Sequence, residues 1–174
     1  LNVGIISLYS RNEQEPFQKG IWGLSGKPVA VKVSYYYDAF RKDDKYIVVP
    51  TKSENIDTYA LRLRDLIEIV KERTNKPKVN IIAHSMGGLV ARRYMQIFGE
   101  EDVDKLIMLA VPNKGISGAI SDYCGFIGEN RECQDMQENS LFINKLNDPL
   151  KQPDKVKLYA IIGQGCKMKL GDGD

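Results

Sequence analysis

The sequence predicts an α/β domain whose parallel sheet is buried on both faces. Apolar runs typical of strands alternate with amphipathic segments typical of helices. Several of these runs are continuously apolar, which is the pattern of strands that helices cover on both sides. Ligand sites of such sheets lie beyond the carboxyl ends of the strands, so we expect the functional residues there.

Length and charge narrow the possible functions. The 174 residues support one domain with a substantial core, and neither a repeat nor a low-complexity segment divides residues 1–174. The formal net charge of +2 gives no electrostatic basis for binding nucleic acid or an anionic membrane. No run of about 18 apolar residues predicts a membrane span, and no signal peptide is visible at Leu1, although one could have been removed.

The first 50 residues give a weak pattern. Residues 1–28 are left unassigned, because a short apolar run at 3–9 leads into a stretch with the prolines and glycines of a loop. The β-branched run at 29–35 predicts a strand. Residues 38–50 are charged and end at a proline, which predicts an exposed loop in which 46–49 can form a short strand.

Stronger signals follow from residue 53 onward. Apolar residues recur at helical spacing over 56–70, and Ser53 or Asn55 can cap this helix. It is expected to end near 74–75, before a proline. The other predicted elements are a strand at 79–83, a helix over 86–98 closed by Gly99, and strands at 106–111 and 156–162.

The junction between the 79–83 strand and the next helix carries the most specific chemical pattern. Ser85 stands where a strand must turn into a helix within one or two residues, so we expect a strained backbone and a hydroxyl exposed above the sheet. Ala83 and Gly87 provide the small side chains that so tight a corner needs. The helix N-terminus favours negative charge, and the Met86 N–H is a candidate oxyanion donor. These features predict Ser85 as a nucleophile; the alternative is that Ser85 only caps the helix.

This junction resembles the nucleophile elbow of lipases and esterases of the α/β-hydrolase superfamily. The motif Ala83–Gly87 has alanine where most members have glycine, and residues 78–92 are similar to bacterial and archaeal triacylglycerol lipases. The loop Pro112–Gly115 resembles one that these lipases carry after the next strand. The resemblance covers roughly 46–174. It implies an α/β-hydrolase fold, a mostly parallel sheet flanked by helices, and hydrolysis of carboxylic esters of acyl lipids through an acyl-enzyme on Ser85.

The resemblance also implies where the other members of a catalytic triad lie. In the family the acid follows a strand like 156–162, which implies Asp174, with Asp172 as the alternative. His84 is the only histidine, and a neighbour of Ser85 at such a corner points elsewhere, so we expect it to pack beside the elbow or near the oxyanion site. The family places its base after the acid, so the base is expected outside this chain and the fold is expected to be incomplete at the carboxyl end.

The second oxyanion donor of these lipases comes from a loop marked by a His-Gly pair, which this sequence lacks. Either the strand that carries this loop lies before Leu1, or the loop at Leu1–Gly4 supplies the donor with other residues. The first alternative is favoured, and it implies that the fold is also incomplete at the amino end.

Cys124 and Cys133 lie where the family inserts its lid, and their spacing matches no zinc motif. A disulfide between them is favoured over two free thiols, with Cys166 paired to a cysteine beyond the chain. The cysteines favour an extracellular or cell-surface location, with the cytoplasm as the alternative. Segment 117–146 mixes apolar and charged residues as a lid over an acyl pocket does, and ordinary helix packing explains the same pattern.

Other functions of the same fold stay open at this point. The serine would also serve an acyltransferase or a thioesterase, and a non-catalytic surface or assembly protein would keep the fold without the chemistry. The expected partner is a small-molecule or lipid ester, with transient contact to a lipid interface and none with nucleic acid. Neither a cofactor nor a metal ion is implied.

Overall fold

A computed structural model of the chain describes residues 4–8, 22–23, 28–33, 37–42, 45–50, 54–117 and 130–163. Within these ranges the strands form two small pairs and one larger sheet. The parallel pair is β1 (Gly4–Leu8) with β2 (Val29–Val33), and the antiparallel pair is β3 (Tyr37–Lys42) with β4 (Lys45–Pro50). The larger sheet is parallel and runs in the order β5 (Val79–His84), β6 (Val103–Leu109) and β7 (Lys157–Ile161).

The structure corrects the sequence-based assignment of the first 50 residues. The strand predicted at 29–35 is confirmed as β2, and the unassigned run at 3–9 contains β1. Residues 38–50 were expected as an exposed loop with a short strand at 46–49. That strand is confirmed within β4, but β3, with which it forms a hairpin, was not predicted. Aromatic and β-branched residues recur between the charges on both sides of a two-residue link at 43–44, which is the spacing of a tight hairpin.

The helices after residue 55 match the predicted periodicity. Asn55, rather than Ser53, caps the first helix, because its Oδ1 accepts the Thr58 N–H at 2.8 Å. Asn75 ends that helix in the left-handed conformation with φ 52°. The described helices are α1 (Ile56–Thr74), α2 (Met86–Phe98), α3 (Asn130–Met136) and α4 (Leu141–Leu146), followed by a 3₁₀ turn at Pro149–Lys151.

One face of the β5–β6–β7 sheet carries the main core. Ala83, Leu106 and Met108 point to this face and are buried against α1 and α2. Strand alternation places Ile82 and Tyr159 on the opposite face, where they are 69% and 50% exposed. The expectation of a sheet buried on both faces is therefore met on one face among the described residues, since α1 and α2 share a side.

Helices α3 and α4 pack into the same core. Met136 and Leu146 are buried there, and the Asp135 carboxylate accepts the first N–H of α1, from Ile56, at 2.9 Å. Burial raises the pKa of Asp135 above its usual range. Residues 130–146 of the expected lid segment thus pack as ordinary helices, while 118–129 lie outside the described residues, where a lid stays a prediction. Among the helices described, none has the length and apolar character needed to cross a membrane.

Candidate active site

Ser85 occupies the corner between β5 and α2. Its backbone angles, φ 53° and ψ −132°, lie outside the helical and extended regions. A non-glycine residue with such a φ is strained, and it persists only where the surroundings impose the conformation. The Ser85 side chain makes no capping hydrogen bond to the helix, unlike an ordinary N-cap serine. The strained corner is confirmed, and the role of Ser85 as a nucleophile stays a prediction.

Backbone hydrogen bonds hold this corner on both sides. The Ser85 N–H donates to Leu109 O at 3.0 Å, which continues the β5–β6 ladder one residue past β5. The Ser85 carbonyl accepts the Gly88 N–H at 3.0 Å and so closes the first turn of α2. Ser85 itself is half-buried. Because α2 begins at Met86, the Met86 N–H is one of the amides that point out of the helix N-terminus.

Small residues lie on both sides of Ser85. Ala83 is buried in the core, and Gly87 is partly buried on the first turn of α2. Gly88 is the residue with the least room: a Cβ there would lie 2.3 Å from Cγ2 of Val111. This close contact of Gly88 was not predicted, although two adjacent glycines are visible in the sequence. The loop after β6 can approach α2 this closely because Gly88 has no side chain.

The strand after α2 ends earlier than predicted. An apolar strand was expected over 106–111, but β6 starts at Val103 and stops at Leu109. Ala110 has φ 45°, which turns the chain away from the sheet, and its N–H donates to Ile161 O at 3.1 Å. Ser85 and Ala110 are therefore positive-φ residues just past the carboxyl ends of adjacent parallel strands. This is the edge where the sequence predicted the functional residues.

His84 is the last residue of β5 and is exposed. Because successive strand residues point to opposite faces, its side chain lies on the side away from Ala83 and the core. Within the part of the chain that the structure describes, no hydrogen bond joins His84 to Ser85. Asp172 and Asp174, the two candidates for the acid, lie outside the described residues.

The cysteines are only partly covered by the structure. Cys133 lies on α3 and packs against the main core. Cys124 and Cys166 lie outside the described residues, so the pairing of Cys133 with Cys124 stays a prediction. Among the side chains described, no group of three or more His, Cys, Asp or Glu residues is placed to hold a metal ion.

The parallel sheet, its flanking helices and the strained serine between β5 and α2 define an α/β-hydrolase. Comparison with known families is more specific. The model of the family described as "Lipase (class 2)" matches residues 37–168, which is most of the chain, so this chain belongs to the class 2 lipase family.

Two curated plant proteins from Arabidopsis thaliana are similar to parts of this chain. Phospholipase A(1) LCAT3 is 38% identical over 74 residues, which are 41% of this chain and 17% of that protein. Lecithin-cholesterol acyltransferase-like 4 is 31% identical over 123 residues, which are 68% of this chain and 20% of that protein. The chain therefore spans a fifth or less of the length of these relatives.

Solved structures support the fold. The phospholipase PlaB from Legionella pneumophila aligns with a TM-score of 0.59 at 17% identity, over 95% of this chain and 38% of that one. Aspergillus fumigatus lipase B aligns with a TM-score of 0.55 at 11% identity, over 99% and 40% of the two chains. The Bacillus licheniformis lipase BlEst2 gives 0.53 at 14% identity, over 92% and 67%. At these identities the likeness concerns the fold alone.

Proposed function

We propose that this domain hydrolyses carboxylic esters of acyl lipids through an acyl-enzyme on Ser85. The observation that carries this proposal is the strained Ser85 at the junction of β5 and α2 in a chain of the class 2 lipase family. Its hydroxyl is not used to cap the helix, so it is available for chemistry. The N-terminus of α2 favours the negative charge that develops when a serine attacks an ester.

The bond changes follow those of other serine esterases. Ser85 Oγ attacks the ester carbonyl carbon while a base takes the hydroxyl proton, and the carbonyl oxygen becomes an oxyanion. The Met86 N–H donates to this oxyanion. Collapse of the tetrahedral intermediate breaks the bond to the alcohol, which leaves with the proton from the base. Water then attacks the acyl-enzyme by the same steps, and the carboxylic acid is released.

The base in this proposal is a histidine outside these 174 residues. His84 ends β5 on the exposed face of the sheet, and no hydrogen bond joins it to Ser85 in the described ranges. The acid that orients this histidine is Asp174, or alternatively Asp172. The second oxyanion donor is a further backbone amide outside the described residues.

Acyl transfer is the second candidate, and one comparison favours it. The relative that covers 68% of this chain is described as lecithin-cholesterol acyltransferase-like. The acyl-enzyme is common to both reactions, so the difference lies in whether water or an alcohol accepts the acyl group. A lipid alcohol bound beside Ser85 would turn the hydrolase into a transferase.

Product analysis separates these reactions. The intact protein is incubated with phosphatidylcholine vesicles carrying a labelled acyl chain, with and without a sterol, beside the Ser85→Ala variant. We expect labelled free fatty acid in both wild-type incubations and none from the variant. Labelled steryl ester as the main product would instead identify a transferase. No Ser85-dependent product from phosphatidylcholine, triacylglycerol or p-nitrophenyl esters would favour the non-catalytic alternative.

We also propose that Cys133 pairs with Cys124 and that the domain works outside the cell or at its surface. Of the segment 117–146, only 118–129 are proposed here to cover the acyl-binding side of the site as a lid, because 130–146 pack as helices into the core. In the entropic model a short loop of this kind gains roughly 2–3 kcal/mol of stability from its disulfide. Peptide mapping without reduction is expected to link the Cys124 and Cys133 peptides. A Cys133–Cys166 peptide would assign the other pairing, and a freely alkylated Cys124 would contradict the proposal.

A further inference from the structure

Three residues on one face of α2 contact the chain that follows β6. Gly88, Arg92 and Gln96 are four residues apart, so they lie in line along the helix. The Val111 side chain packs against Gly88, and the Gln96 amide donates to Leu146 O at 3.0 Å. Arg92 lies between them. This stripe of Gly88, Arg92 and Gln96 therefore contacts both the loop after β6 and the end of α4.

Arg92 is the charged member of the stripe and is only 7% exposed. Each acceptor that its guanidinium contacts is neutral. Burial lowers the pKa of Arg92 from its usual value. Placing a cation in the interior costs free energy, which its hydrogen bonds must offset. Its acceptors are Asn113 Oδ1 at 2.9 Å, Leu146 O at 3.1 Å, Asn147 Oδ1 at 2.9 Å and Gln152 Oε1 at 3.0 Å.

Among the segments that Arg92 contacts, the loop Ala110–Gly115 is the one that directly follows β6, the strand whose last residue binds the Ser85 N–H. Asn113 is fixed twice, because its side chain accepts from Arg92 and its carbonyl accepts Asn147 Nδ2 at 2.8 Å. The loop begins at Ala110, one residue past Leu109, whose carbonyl binds the Ser85 N–H. A displacement of the loop would therefore reach the backbone that shapes the serine corner.

We infer that Arg92 is a positioning residue that holds the Ala110–Gly115 loop against the first two turns of α2 and thereby fixes the wall of the site beside Ser85. The inference rests on the proposed function for its effect on turnover. The fork of the guanidinium joins α2, the loop and the end of α4 with directed bonds, which an apolar side chain cannot do.

Arg93 provides a matched control on the same helix. It is also 7% exposed, but its guanidinium pairs with the Asp57 carboxylate on α1, at 2.5 Å from Nε to Oδ1 and 3.2 Å from Nη2 to Oδ2. Its Nη1 also donates to Gln96 Oε1 at 3.2 Å, but it makes no hydrogen bond to the Ala110–Gly115 loop among the described residues. Arg92→Met and Arg93→Met are compared at a temperature where both proteins are folded. We expect Arg92→Met to lower kcat for ester hydrolysis by about tenfold or more, because the acceptors on the loop and at the end of α4 lose the charged donor that holds them together. Arg93→Met should change kcat by less than about twofold, although both variants lose thermal stability.

Hydrogen exchange tests the inference without relying on activity. Amides of residues 110–115 are expected to exchange about tenfold faster in Arg92→Met than in Arg93→Met. If Arg92→Met does not fold, Asn113→Ala removes only the contact on the loop side and should give the same faster exchange. Arg92→Lys keeps the charge without the fork and should recover only part of the protection.

The outcomes separate the inference from the proposed function. Equal exchange of the loop in the Arg92 and Arg93 variants would overturn the positioning role, as would losses of kcat that simply follow the losses of stability. A wild-type protein without Ser85-dependent turnover would overturn the proposed function instead. The exchange measurement would still decide whether Arg92 holds the loop.

Discussion

Replacing Ser85 with alanine should abolish ester turnover by the intact protein, with a fall in kcat of at least about 10⁴-fold. The proposed mechanism forms the acyl-enzyme on Ser85 Oγ, and removing the nucleophile of a serine hydrolase leaves only the catalysis from binding and the oxyanion donors. The fold should survive, because the Ser85 side chain makes no capping bond to α2. Turnover is measured with a p-nitrophenyl ester and stability by thermal unfolding.

Ser140 is the matched control for this prediction. It is an ordinary N-cap: its Oγ accepts the Ile143 N–H at 3.0 Å and donates to Asp135 O at 2.6 Å. Ser140→Ala is expected to lower the free energy of unfolding by about 1 kcal/mol and to leave kcat unchanged. The two serines should thus differ in effect, one acting on chemistry and the other on stability. Substantial turnover by Ser85→Ala would contradict the assignment.

Gly88→Ala should destabilise the protein by about 1–3 kcal/mol, as overpacking of a close contact usually does. The new Cβ would lie 2.3 Å from Cγ2 and 2.7 Å from Cγ1 of Val111, so the loop after β6 or the first turn of α2 must move. Helix propensity alone predicts the opposite sign, since alanine is favoured over glycine in a helix by roughly 1 kcal/mol. The sign of the change therefore decides whether the contact or the propensity dominates.

A double-mutant cycle isolates this contact. Val111→Ala removes both methyl groups that the new Cβ would meet, so Gly88→Ala should cost much less in the Val111→Ala background. The free energies of unfolding come from denaturant titration of the four proteins. Additive effects of the two substitutions, or a Gly88→Ala protein more stable than wild type, would contradict the close packing of α2 on this loop.

Local patterns in the sequence account for much of the fold and for the serine corner. Helix α1 follows from its apolar period, and the position of Ser85 follows from an apolar strand meeting an amphipathic helix with small residues between them. Such features depend on neighbours in the chain, so the order of the amino acids alone reveals them. Strand β3 and its pairing with β4 were missed because charges dominate residues 38–45, although strand-forming residues lie between them.

The contacts that shape the site could not be predicted in this way. Arg92 and Arg93 are adjacent arginines on one helix and look alike in the sequence, yet Arg92 binds only neutral groups while Arg93 pairs with a carboxylate and one amide oxygen. Their partners Asn113 and Asp57 lie 21 and 36 residues away along the chain. Likewise, the lack of space for a side chain at Gly88 is apparent only from its contact with Val111. These roles come from tertiary packing, which local periodicity does not report.

Mapping the site of a covalent fluorophosphonate adduct tests directly whether Ser85 is the nucleophile. The intact protein is treated with the probe at neutral pH, digested, and analysed by mass spectrometry, with Ser85→Ala and Ser140→Ala treated in parallel. If Ser85 is the nucleophile, we expect one adduct, on Ser85 Oγ, that is present in Ser140→Ala and absent from Ser85→Ala. An adduct on another serine, or ester turnover by a protein whose Ser85 never carries the label, would contradict it.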